Sequence, residues 1–110
     1  MKSKNKLEIF IPDKYLKNFL FDPTQDEGMI GAIKYLREQG KICEFLGFNS
    51  MDKYVVLIDG TKYYGGITGN IEFNYYAVFS VVEDLEQDYI EKHFSDRVQQ
   101  ILASLNNKES

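Results

Sequence analysis

The spacing of apolar side chains changes period several times along the chain, and each change marks an element boundary. Leu7, Ile9 and Ile11 fall on one side of an extended segment with Glu8 and Phe10 opposite, which predicts a first strand ending at Pro12. In Lys14 to Phe21, Tyr15, Leu16, Phe19 and Leu20 recur at helical spacing until Asp22-Pro23 stops the run, so a short helix is expected. Thr24 with Glu27 three residues later has the form of a capping box, in which hydroxyl and carboxylate each satisfy a backbone N–H that the first helical turn leaves unpaired. It opens a second helix with the stripe Met29, Ile30, Ile33 and Leu36, closed by Gln39 because Gly40 supplies a left-handed residue.

Beyond Lys41, Ile42, Leu46 and Phe48 alternate with Cys43 and Phe45, which predicts a strand apolar on both faces and covered on both. Tyr54 to Ile58 is the most β-prone run, and Asp59-Gly60 is a two-residue hairpin signal with Thr61 to Tyr64 returning. The glycines of Gly65 to Asn70 read as a turn that needs positive φ, and Ile71 to Val82 as a long, bent strand. Asp84 with Gln87 marks the start of a last helix carrying Ile90, Phe94, Val98, Ile101 and Leu105 as its stripe. The expected order is β-α-α-β-β-β-β-α. It describes a single α+β domain over residues 1–110, a mainly antiparallel sheet of four to five strands packed by two N-terminal helices and one long C-terminal helix, with residues 1–5 and 106–110 as frayed tails.

Composition narrows the picture. With 110 residues, 44% of them hydrophobic, and eight Phe and eight Tyr, the chain can fill one core without disulfides. A formal charge of −4 has the wrong sign for neutralising phosphates, so nucleic acid is not an expected partner. The single cysteine, Cys43, forms no internal disulfide and fits a reducing compartment. Lys2, Lys4 and Lys6 resemble the start of a signal peptide, but the apolar stretch after them contains Glu8 and stops at Pro12, and no run reaches the length of a membrane helix. A soluble cytoplasmic protein without a membrane partner is expected.

Candidate chemistry is sparse. One histidine and one cysteine do not make a zinc site, and no carboxylate loop of the calcium-binding type is present, so no metal or other cofactor is expected. His93, Ser95 and Asp96 supply the three residue types of a hydrolytic triad within four positions, but on a helix they point in different directions and no nucleophile elbow surrounds Ser95. His93 reads as a surface residue and Cys43 as a small buried hydrophobe. The glycines of Gly65 to Asn70 match no phosphate-binding spacing and lead into a strand. An enzyme is not expected.

Two features remain. Between Glu83 and Asp96 six carboxylates, Glu83, Asp84, Glu86, Asp88, Glu91 and Asp96, face a single Lys92, a local charge of −5. Such a run is ordinarily a solvated helix face, and it also steers a cationic partner. The second feature is the tyrosine density around the hairpin, where Tyr63 and Tyr64, and Tyr75 and Tyr76, are adjacent pairs. Neighbours in a strand point to opposite faces, so one tyrosine of each pair faces away from the core, and exposed tyrosine is a favoured interface residue. Small, acidic and tyrosine-rich without a catalytic constellation is the profile of an inhibitor that plugs a basic protein. The expectation is therefore an immunity protein that binds and neutralises a bacterial toxin domain of the nuclease type, through Glu83, Asp84, Glu86, Asp88 and Glu91 together with Tyr63, Tyr64, Tyr75 and Tyr76. A phage-encoded inhibitor of a host nuclease has the same profile. The alternative is a small-molecule or regulatory binding domain that uses the sheet face and the Gly65 to Asn70 loop.

Overall fold

A computed structural model of the chain describes residues 6–21, 24–49, 51–69, 72, 74–82, 89–91 and 96–106. Strand β1 (Lys6–Phe10) leads through a 3-10 turn (Asp13–Tyr15) and α1 (Lys17–Phe21) into α2 (Gln25–Glu38). A meander follows of β2 (Cys43–Asn49), β3 (Tyr54–Ile58), β4 (Thr61–Gly69) and β5 (Tyr75–Val81), then β6 (Tyr89–Glu91) and α3 (Asp96–Asn106). All pairings are antiparallel, and the strand order is β1-β5-β4-β3-β2-β6. The α+β architecture is thus present, as five longer strands extended at the β2 edge by the three-residue β6.

Local chemistry accounts for the elements that match expectation. The Thr24 hydroxyl accepts from the Glu27 N–H at 3.2 Å, Asp26 and Glu27 place negative charge in the first turn of α2, and Gly40 ends the helix at φ +92°. At the hairpin, Asp59 and Gly60 have φ of 50° and 90° and Ile58 pairs with Thr61, the geometry whose twist matches the flanking strands.

Other expectations need correction. The expected pair of N-terminal helices is one full helix, α2, preceded by the 3-10 turn and the single turn of α1, and Leu20 is exposed rather than packed. The long C-terminal helix is an 11-residue one that begins at Asp96; Ile90, assigned to its stripe, lies in β6, which pairs with β2, while Val98, Ile101 and Leu105 are buried as expected. Asn106 closes α3 instead of opening a tail, and residues 1–5 and 107–110 lie outside the described residues. Gly65 to Gly69 continue β4 without positive φ and form no turn, and β5 begins at Tyr75 with seven residues where a twelve-position strand was expected from Ile71. In β2 the alternation fails because Leu46 is an extra residue: Phe45 pairs with Val56 while Gly47, at φ 145°, pairs with Val55. The bulge turns Phe45 and Phe48 to the same buried face, and Ile42 and Glu44 are exposed, so the strand is not apolar on both sides.

The described helices gather on one face of the sheet. There Ile11, Met29, Ile33, Val56, Ala77 and Phe79 are fully buried, and Arg37 ties the layers together by donating to the carbonyls of Cys43 (2.8 Å) and Leu105 (3.2 Å). α2 also packs closely on the 3-10 turn because Gly31 allows it: a Cβ there would stand 2.1 Å from the Tyr15 carbonyl oxygen.

Candidate functional site

β3 starts at Tyr54, opposite Gly65, so residues 66–69 of β4 run past its end and, among the described residues, pair with β5 alone. The chain leaves the line of β3 in a tight turn. The Asn49 side-chain oxygen accepts from the N–H groups of Met51 (2.9 Å) and Lys53 (2.8 Å), and Asp52 adopts φ 62°. Between this turn and β4 lies a cleft of about 750 Å³, lined by Met51 to Tyr54, Tyr64 to Thr68, Gln25, Val78, Ser80 and Arg97.

Two polar arrangements shape the cleft. At the open edge of β4 the Gln25 side chain takes the place of a strand: its Nε2 donates to the Ile67 carbonyl and its Oε1 accepts from the Ile67 N–H, both at 3.0 Å. On the helix side, Arg97 from the first turn of α3 grips Asp26 from the first turn of α2, with Nη2 to Oδ1 at 2.7 Å and Nε to Oδ2 at 3.0 Å. The Tyr54 hydroxyl donates to the same Asp26 carboxylate. The Arg97 guanidinium also lies over the Phe48 ring at 4.1 Å, a contact that exists because the β2 bulge brings Phe48 to this face.

The electrostatics follow from these contacts. Partial burial works to raise the Asp26 pKa, but hydrogen bonds from Arg97 and Tyr54 and the charge of Arg97 outweigh it and hold the carboxyl below its ordinary value. Burial first, and then the bond to ionised Asp26, raise the Tyr54 phenol, which stays a protonated donor at neutral pH. Its bonds to Asp26 keep Arg97 charged. The cluster is a fixed ion pair with a phenolic donor, and it holds the N-terminal ends of α2 and α3 beside the cleft. What it presents to the cleft is donors, acceptors and aromatic surface.

Comparison with known proteins returns no match. No family model fits the chain, and no curated protein or solved structure is detectably similar to it.

The sequence-derived site residues scatter over this frame. Tyr63 packs against the core, with its ring 6.1 Å from Phe79, and Tyr75 does the same on Phe19 at 4.8 Å. Tyr64 and Tyr76 belong to the opposite face, Tyr64 at the cleft and Tyr76 edge-on to Phe10 at 5.7 Å. Glu83, Asp84, Glu86 and Asp88 lie outside the described residues, as do His93 and Ser95, and the backbone of Glu91 is in β6. Asp96 opens α3 and is exposed. Cys43 is buried at the start of β2, where desolvation pushes its thiol up to about 12. Among the described residues, no three His, Cys, Asp or Glu side chains come together, and no helix is long and apolar enough to cross a membrane.

Sequence reasoning missed Gln25, Asp26 and Arg97 as a group. Asp26 sits inside the Thr24–Glu27 capping box and Arg97 in the expected last helix, neither singled out, and no local spacing links positions 26 and 97.

Proposed function

We propose that this chain is a small acidic binding protein of the immunity-protein type, which occupies and neutralises a basic protein partner, a toxin domain of the nuclease class. The observation that carries the proposal is the asymmetry of the sheet: the described helices pack on one face, while the other presents Phe10 (47% exposed), Tyr76, Val78 and Tyr64 in neighbouring strands. Aromatic residues on a flat, rigid sheet give large contact area at small entropic cost, which is what the centre of a protein interface requires. Glu8 and Glu44 on this face are matched in number by Lys6 and Lys62, so the net negative charge available for steering is in the sequence from Glu83 to Asp96, at −5. A nuclease must be cationic where it holds phosphates. A negative partner is both drawn toward that surface and able to fill it.

The test is co-expression with a secreted toxin encoded beside this chain's own gene, followed by binding kinetics on the purified pair. Growth rescue and loss of nuclease activity are expected. Reversing Glu86, Asp88 and Glu91 to Lys should slow association about tenfold or more at low salt, while Tyr64→Ala and Tyr76→Ala should speed dissociation about tenfold. Unchanged rate constants in folded variants, or a toxin left fully active, overturn the reading.

A further inference from the structure

The stretch of β4 past the end of β3 offers main-chain groups, a different chemistry from the side chains of the outer face, although Tyr64 borders both. Open strand edges are ready templates for another chain, and folded proteins cover them. Here the β3–β4 pairing ends at Tyr54 and Gly65, two residues short of Ile67, and among the described residues the cover at Ile67 is a single side chain. The Gln25 amide offers a carbonyl and an N–H in the pairing an incoming peptide unit would use, and it satisfies both main-chain groups of Ile67. By strand alternation the main-chain groups of Gly69 face the same edge, one two-residue repeat further on. Gly66, just before Ile67, leaves space, since a Cβ there would meet nothing nearer than the Gln25 Oε1 at 4.0 Å.

We propose that the cleft is a binding site for an extended polypeptide segment, which displaces the Gln25 side chain and adds to β4 along residues 66–69 in the line that β3 vacates. The exchange swaps one amide for another at Ile67, so its hydrogen bonds balance, and the segment gains further pairing at Gly69. Gln25 sits exposed at the first turn of α2 and can swing away without disturbing the core. Tyr64 and Ser80 at one wall and Met51 at the other supply contacts for alternate side chains of the segment. The chemistry selected is main-chain amide in β conformation with modest side-chain preference.

The probe is a phage-displayed library of random heptapeptides, panned on the full chain, with enriched peptides remade synthetically and titrated by fluorescence anisotropy. Enrichment is expected. Methylating alternate peptide nitrogens should weaken binding at least tenfold for one register and little for the other, because only every second N–H faces β4. The Ile67 and Gly69 amide resonances should shift on binding, and Gln25→Ala should raise affinity several-fold by removing the internal competitor. Phe10→Ala should leave the affinity unchanged, which separates this site from the Phe10–Tyr76 part of the outer face. The proposal is overturned by failure to enrich any peptide, by binding indifferent to both N-methyl registers, by binding lost in Phe10→Ala, or by dimerisation of Gln25→Ala that blocks peptide entry.

Discussion

The two faces of the sheet carry aromatic rings of the same kind in different settings. Phe79 of β5 is fully buried under α2, whereas Phe10 of β1, one strand away, is 47% exposed and touches Tyr76 at its edge. The first ring is held by a layer that closes over it, and the second by one aromatic neighbour. Most of the buried side chains belong to the covered face, although Val55, the cross-strand partner of Tyr64 on the other face, is also fully buried. Around Phe10 the outer face is open, and residues there can change at small cost to the fold.

Paired substitutions should expose this difference. The largest effect is expected for Phe79→Ala, at about 3–5 kcal/mol for a fully buried phenyl, against about 1 kcal/mol or less for Phe10→Ala; urea denaturation of both variants measures the contrast, and equal losses would break it. Next comes the adjacent glycine pair of β4. A Cβ at Gly65 would stand 2.7 Å from the Phe79 ring and 3.2 Å from Met29 Cε, whereas Gly66 has space. Gly65→Ala should therefore cost about 1–3 kcal/mol through overpacking, while Gly66→Ala should be neutral or gain about 0.5 kcal/mol from the stiffer backbone, read as opposite shifts in Tm.

The smallest effect belongs to the seam where the faces meet. Asp26 and Arg97 keep side-chain exposures of 27% and 43%, so Asp26→Asn should cost only about 1 kcal/mol at neutral pH. Because the folded carboxyl titrates below its ordinary 3.8, its contribution is complete above that value and is lost as pH falls through the lower folded value. The gap between wild type and Asp26→Asn should therefore close in acid. A gap that stays constant with pH would mean that the ion pair contributes nothing.

How much of this was legible in the sequence depends on whether one residue type had one physical reason to stand where it does. Asp59-Gly60 could be read because a two-residue turn requires positive φ at both positions, and no competing explanation fits between two β-prone runs. Gly65 to Gly69 could not, since glycine also serves where a Cβ would collide, and that need comes from Phe79, Met29 and Tyr75, which the chain brings near only on folding. The β2 bulge misassigned Phe48 for a similar reason: one extra residue, Leu46, shifts every later side chain to the other face, and Gly47 alone does not announce it. For the candidate site, alternation sufficed to place one tyrosine of each adjacent pair on each face. The Asp26–Arg97–Tyr54 cluster and the Gln25 cover stayed invisible, since each joins residues from separate elements through tertiary contact.

One pairing has consequences in time. β1 lies beside β5, so Lys6 meets Ser80 only after about two-thirds of the chain has been brought round, whereas β2 to β5 join neighbours through short connections. Closing the longer loop is the slower event, and the meander is expected to assemble first with β1 docking late. Destabilising changes in the Tyr54–Tyr64 hairpin should then slow refolding, while Ile9→Ala should chiefly accelerate unfolding, as stopped-flow chevrons would report. In that order of events the N-terminal strand is a latch on a sheet already formed, and its release is the expected first step of unfolding.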